Sequence, residues 1–475
     1  MIFSTYQFIF GFLPITFFIY FFLNHFRLFS LSKIWLIICS LYFYAQGSPD
    51  FFVFFLGSIV GNYIVGTTMS RMEGNQTIQK KLLLAVGLAG NIGLLGYYKY
   101  TDFFIENYNL LTGSSYALKH IILPIGISFF TFQLIAFLVD SYRGETKQYD
   151  IINYLLFITF FPQLIVGPII HHGEIVPQFE NKENLKLNYD NIAKGLFLFC
   201  IGCAKKILLA DPMTTNAQEF FNNIGSDPNL LLTWFSSIEY TISYYFDLSG
   251  YADMAIGLGY MFNIAIPQNF DSPYKARNFQ DYWRRWHMTL SRFLSNYIFR
   301  SVYKRDVKWR NYYVATMVTF FVSGFWHGAG WTFVVWGLVN GVFVCTASWM
   351  KRKNMKFPLW IAFPLTALGV ILARVLFVSN SFADVWSVYH GMVNFSSLGS
   401  SLSEALASIW HFISYHKSSG LRLVIGIVIC WFLPNSKTLT EKFKANVWTA
   451  VYAGILMLLC ITQMNKVVQF LYFQF

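Results

Sequence analysis

Apolar runs of about 18 residues or more recur along this chain, and no other property restricts its fold so severely. Stretches at roughly 6–26, 34–47, 51–70, 82–98, 120–139, 151–170, 192–210, 229–262, 312–349, 357–378, 420–434 and 447–464 are predominantly apolar, several of them short or interrupted. Only 12% of the 475 residues are charged, too few to coat a globule of this size; soluble domains carry about 25%. The pattern predicts an all-α, polytopic membrane protein with about 10–12 transmembrane helices. No linker, low-complexity tract or clear repeat interrupts it, so the expectation is one transmembrane domain over 1–475.

No Lys or Arg precedes the first run and no small-residue cleavage site follows it, so it reads as a span and not a signal peptide. The net charge of +12 points to cytoplasmic loops, which collect Lys and Arg, and not to nucleic acid. Arg27 and Lys33, then Arg71, Lys80 and Lys81, flank a loop that holds Asp50 without a cation. This predicts an outside N-terminus. Lys304, Arg305, Lys308 and Arg310 form one cytoplasmic loop, and Lys351, Arg352, Lys353 and Lys356 another. Residues 379–416 lack Lys and Arg and should face outward, Lys437, Lys442 and Lys444 mark a return, and the C-terminus falls outside. Lys417 and Arg422 run against this scheme. Of the six cysteines, Cys200 and Cys203 form a C-x-x-C inside an apolar helix with no second pair, which reads as packing and not as a redox or zinc motif.

Chemistry is expected between Asp281 and Trp336, where two histidines stand beside tryptophans in an otherwise greasy chain. His287 ends Trp283-Arg284-Arg285-Trp286-His287, and His327 lies in Trp326-His327-Gly328-Ala329-Gly330-Trp331. Imidazole exchanges protons near neutrality. Tyr282 to Phe299 reads as one helix, with Trp283, Trp286, Leu290, Phe293 and Tyr297 on one stripe and Arg285 and Arg292 opposite. Such a helix also suits a plain interfacial anchor. The run 312–349 lies between two basic loops, so it must enter and return. It is slightly short for two full crossings, which puts a turn at His327-Gly328-Ala329-Gly330 within the membrane, where an ionisable group is a functional candidate. No H-E-x-x-H or Cys/His cluster is present, His171-His172 with Glu174 is a weak metal pattern, and no metal is expected.

Several stretches in order resemble the membrane-bound O-acyltransferase (MBOAT) family in its bacterial polysaccharide branch. They are Leu123-Pro124-Ile125-Gly126-Ile127-Ser128-Phe129-Phe130, Asp140 with Arg143-Gly144, Phe161-Pro162-Gln163-Leu164-Ile165-Val166-Gly167-Pro168, Phe246-Asp247-Leu248-Ser249-Gly250-Tyr251-Ala252-Asp253, and the two tryptophan–histidine runs. One departure is Tyr297-Ile298-Phe299-Arg300-Ser301-Val302, where alginate-type relatives usually read Tyr-Ile-Pro-Leu-Gly-Gly; it puts the polymer in question. The resemblance implies a ring of tilted helices around a tunnel, His327 as principal catalytic histidine and His287 as its partner. It implies no bound cofactor, a cytoplasmic acyl thioester such as acetyl-CoA as donor, and an inner-membrane location. An extracytoplasmic partner, SGNH-type or otherwise polysaccharide-modifying, would complete O-acetylation of an exopolysaccharide.

The terminal Phe470-Leu471-Tyr472-Phe473-Gln474-Phe475 resembles the aromatic end of export-type relatives, which makes Tyr472 an acyl-acceptor candidate. The competing reading is an aromatic interface belt. A thioester attacked by a hydroxyl needs a base, for which His327 is the candidate, and donors for the oxyanion, for which Trp286, Trp326, backbone N–H groups near Gly328 and a protonated His287 are candidates. Ser249, Asp253 and Gln163 sit inside apolar runs, either lining the tunnel or joining helices by hydrogen bonds. D-alanyl transfer to a cell-wall polymer, a transporter and a purely structural subunit are the alternatives.

Overall fold

The computed structural model describes residues 1–72, 77–146, 149–355 and 357–466. Among these residues all regular structure is helical and no strand occurs. Among the described residues, five helices are long and apolar enough to cross a membrane: Gln7–His25, Pro49–Arg71, Ile78–Thr112, Trp331–Arg352 and Leu359–Val378. Phe29–Ala45 and Val447–Ile461 are shorter apolar helices.

Several expected spans are interrupted, and the reasons are local. The run 151–170 divides into Ile151–Thr159 and Phe161–Leu164. Pro162 has no N–H and its ring would clash with the carbonyl one turn back, so the helix cannot run through it. The break is sealed by side chains: the Gln163 amide donates to the Phe157 carbonyl, and the Phe161 N–H donates to Ser40 Oγ at 3.1 Å.

The chain divides into two compact units whose segments alternate in sequence. The first holds 1–200, 251–267 and 443–455. Its core is a block of rings, with Phe3 stacked on Tyr251 at 4.7 Å and Phe161 set against Phe12 at 5.3 Å and Phe262 at 5.8 Å. Offset and edge-on ring pairs of this kind fill space without a polar group to satisfy.

The second unit holds 201–250, 268–442 and the chain from 456. Six helices concern the site: α1 (Leu230–Met261, whose end from Tyr251 belongs to the first unit), α2 (Phe279–Arg285), α3 (Met288–Leu294), α4 (Tyr312–His327), α5 (Trp331–Arg352) and α6 (Leu359–Val378). The expected hairpin is α4, a three-residue turn and α5. With 16 residues, α4 is roughly 24 Å long, short of the about 30 Å of a bilayer's hydrocarbon core. α4 and α5 approach closely because Gly324 and Gly337 meet at their crossing; a Cβ on either would strike the opposite backbone, at the Phe333 and Phe320 carbonyls respectively. α6 returns beside α5. Three consecutive antiparallel helices therefore gather the end of α4, the start of α5 and the end of α6, away from the basic loop that follows α5. Elsewhere in this unit Lys206 is buried between Asp211 at 2.6 Å and Asp247 at 2.7 Å.

Candidate active site

His327 closes α4 and is 5% exposed. Rings wall it in: Trp326 at 4.8 Å, Trp336 at 5.1 Å and Phe377 at 5.5 Å between centroids, all edge-on. The wall follows from topology, since Trp326 is on α4, Trp336 near the start of α5 and Phe377 near the end of α6. Phe333 packs on Phe377 at 5.1 Å and covers Gly328, where any side chain would collide with its ring.

His287 is not inside a helix. The single helix expected over 282–299 is broken: α2 stops at Arg285, Trp286 is extended, His287 sits at φ +46, and α3 starts at Met288, with a π-helical turn over Ser295–Phe299. Asn269 enforces the break. Its carbonyl accepts the Met288 N–H at 2.8 Å, and its Oδ1 accepts both the N–H and the hydroxyl of Thr289, at 3.2 and 2.9 Å. These bonds satisfy donors at the start of α3 and leave His287 in left-handed backbone, which histidine tolerates better than most residues. The ring is 2% exposed and lies 5.9 Å from Phe270. Burial lowers its pKa to about 3, so it is a neutral imidazole at neutral pH.

The break also splits the predicted aromatic stripe. Trp283 turns to Phe320 and Trp336, at 5.2 and 5.9 Å, and so joins the wall around His327. Trp286, 3% exposed, packs among Phe270, Tyr282 and Tyr244, at 5.2, 5.6 and 5.9 Å. Between the two groups lies Arg374 of α6, 5% exposed, with its guanidinium carbon 4.3 Å from the Tyr244 ring centre, 5.2 Å from Trp286 and 5.0 Å from Phe377. The two histidine segments therefore share one aromatic shell.

A groove of about 320 Å³ runs along α4, with Gln280, Arg284, Ser291, Ser295, Thr316, Thr319 and Ser323 among its lining residues. Thr316, Ser323 and His327 lie on one face of α4 by helical spacing, so the groove reaches the turn before the histidine. A larger cavity of about 860 Å³ lies along α5 and α6, mostly apolar, with Arg277 and Lys351 in its lining.

The other expected site residues fall as follows. Ser249 is in the second unit, buried, its hydroxyl without a partner among the described residues. Gln163 and Asp253 belong to the first unit; both are buried, and the Gln163 amide seals a helix break. Tyr472 lies outside the described residues.

His171 and His172 are brought together by Asp140 and not by Glu174. Their Nε2 atoms lie 2.7 and 3.1 Å from Asp140 Oδ2, a set compact enough to hold a metal ion. The hydrogen bonds argue for another use. The Gly173 N–H donates to His171 Nδ1 at 3.2 Å, so the proton of that ring is on Nε2 and points at Asp140. A protonated nitrogen has no lone pair for a metal. His172 Nδ1 pairs with the Tyr149 hydroxyl at 2.8 Å, completing a network that pins three segments of the first unit.

Sequence reasoning missed Arg374 and Asn269. Arg374 was findable: it is the one charge in 359–378, and an ionisable group in an apolar run is conspicuous. Asn269 had no signal, because its role depends on residues about 20 positions later.

The model of the membrane-bound O-acyltransferase family matches residues 69–383, which include both histidines. Over 498 aligned positions the chain is 39% identical to the peptidoglycan O-acetyltransferase of Helicobacter pylori, covering 96% of this chain and 94% of that protein. It is 32% identical to the probable alginate O-acetylase of Pseudomonas aeruginosa, over 84% of this chain and 76% of the relative. The teichoic acid D-alanyltransferase of Bacillus subtilis is 30% identical over 53% of this chain and 65% of its own length.

Proposed function

The chain belongs to the membrane-bound O-acyltransferase family, and from that premise we propose that it moves an acetyl group from a cytoplasmic thioester across the inner membrane, for O-acetylation of an extracytoplasmic polysaccharide. It is a multi-pass membrane O-acyltransferase. Peptidoglycan is the polymer best supported, because the relative named for it aligns over nearly the whole of both chains. A D-alanyl group is less well supported, since the relative named for that transfer matches only about half of this chain.

One observation carries the mechanistic reading: a hydroxyl-lined groove along α4 reaches Ser323, one turn before His327, and His327 is buried in an aromatic wall that limits water. Acetyl-CoA or another acyl thioester is the donor, and the groove is the path offered to it. The acceptor oxygen attacks the thioester carbonyl while neutral His327 takes its proton. The resulting imidazolium returns that proton to the departing thiolate. Trp286, Trp326 and N–H groups near Gly328 are the candidate oxyanion donors. His287, neutral and fixed by Asn269, orients the reacting groups and does not serve as a permanent cation. The acceptor is Tyr472 or the hydroxyl of a partner; an SGNH-type or other polysaccharide-modifying protein outside the membrane receives the group. In this scheme residues 379–416 and the C-terminus face outward.

Purified protein with acetyl-CoA should release free CoA, and His327→Ala should lower that rate by at least about 10²-fold while the melting temperature is kept. Retained turnover in a folded His327→Ala protein would refute the assignment. Intact-mass analysis of the C-terminal peptide tests the carrier step separately: an unmodified Tyr472 in an active preparation removes the carrier and leaves the transferase.

A further inference from the structure

Arg374 is hard to account for as structure. It is the one charge in α6, it is 5% exposed, and among the described residues no carboxylate pairs with it. Its neighbours are the rings of Tyr244, Trp286 and Phe377. The phenols of Tyr244 and Tyr282 are its polar company, and its Nε has no hydrogen-bond partner. Three cation–π contacts offset part of the cost of burying a guanidinium. That cost is severe for an ion without a counter-ion. Buried cations elsewhere in the unit are treated differently: Lys206 has two aspartates. A fixed cation in an apolar cage, lacking only its anion, is the arrangement expected where negative charge appears transiently.

Its position fits that use. The guanidinium and the His327 imidazole both rest on Phe377, at 5.0 and 5.5 Å from its ring centre, and the guanidinium also touches Trp286, the neighbour of His287. We propose that Arg374 is the cation of the acyl-transfer site and stabilises the oxyanion formed when the thioester is attacked. This rests on the transferase reading above. The acceptor oxygen bonds to the carbonyl carbon and its proton passes to His327. The carbonyl π pair becomes an alkoxide lone pair facing the guanidinium. Collapse restores the carbonyl, breaks the carbon–sulfur bond, and the thiolate takes the proton from the imidazolium. Arginine stays protonated throughout.

Two variants separate this role from packing, because they are ordered oppositely by the two accounts. Arg374→Lys keeps the charge and loses the planar stack; Arg374→Met keeps the volume and loses the charge. Both are compared with wild type by CoA release from acetyl-CoA, with melting temperatures recorded. The proposal expects the Lys variant to keep kcat within about tenfold and the Met variant to lose about 10²–10³-fold, with KM for the donor little changed in both. A structural role predicts the reverse, since a neutral side chain suits an apolar cage better than an ammonium. Arg374→Ala adds a rescue: guanidinium ion should restore turnover and neutral urea should not. Met at or above Lys in kcat, or equal rescue by urea, overturns the proposal. If His327→Ala were also active, His327 would lose its role as base, and wild-type protein that released no CoA would end the transferase reading; an inactive His327→Ala beside an active Arg374→Met sinks only the role of Arg374.

Discussion

His287 pairs a left-handed backbone with a ring that burial keeps neutral, and the two are linked. The αL conformation costs an ordinary residue about 1–2 kcal/mol, so the contacts that hold it must outweigh that; Asn269 supplies them at Met288 and Thr289. The neutral ring has a pH signature. Its pKa in the fold is about 3, against about 6.5 unfolded. Between those values the unfolded chain binds a proton that the fold excludes, so stability rises with pH across the window and falls as the solution is acidified below about pH 6.5. At pH 5 the loss is about 2 kcal/mol. His287→Asn, which keeps a residue tolerant of φ +46, should melt with a flatter profile between pH 7.5 and pH 4.5 than wild type. Parallel profiles would mean that this ring is not the excluded site. Turnover in the same variant should fall at least tenfold, and an unchanged rate would reduce His287 to a structural turn. Two histidines in a chain this apolar are conspicuous, which is why the pair was legible in the sequence. Their separation into a helix end and a broken turn was not, because aromatic spacing over 282–299 fits a helix and the residue that breaks it lies upstream.

At the scale of elements, the α4–α5 hairpin is the rigid part of the site. Its turn was legible from the length of the run between two basic loops and from the glycines around His327. The closeness of the two helices was not, since Gly324 and Gly337 show their purpose only once they face each other. Gly324→Val should drive a branched side chain into the Phe333 carbonyl and the Gly337 backbone, at a cost of about 1–3 kcal/mol. His327 is one turn away on the same helix, so turnover should fall further than stability. A variant with an unchanged melting temperature would show that the helices part easily at this crossing. The Lys206 cluster ties elements in a different way, through a cation shared by Asp211 and Asp247. Lys206→Met takes the shared cation from between two buried carboxylates, which costs about 3–5 kcal/mol. Adding Asp211→Asn and Asp247→Asn should recover much of the melting temperature. If the triple variant is no better than the single one, the lysine is held for its packing and not its charge.

Across the whole molecule, hydropathy identified the class of fold more readily than the number of crossings. Long runs such as 357–378 became continuous helices, whereas 151–170 broke at Pro162 and 120–139 begins as helix only at Ile127, after Pro124 and a positive-φ Gly126. A window average cannot register where backbone bonds are interrupted and resealed by side chains such as Gln163. Orientation rests on loop charge and has its own test. A single cysteine at Ser401, in a cysteine-free background, should react with a membrane-impermeant maleimide in intact cells, while one at Asp306 should react only after the membrane is opened. No disulfide joins the six native cysteines, five of which are buried, so replacing them removes no cross-link. Labelling at both positions from outside would invert the basic loops and leave the thioester on the wrong side of His327. Labelling at neither before permeabilisation would place 379–416 inside, and the path for the acyl group would then need another exit.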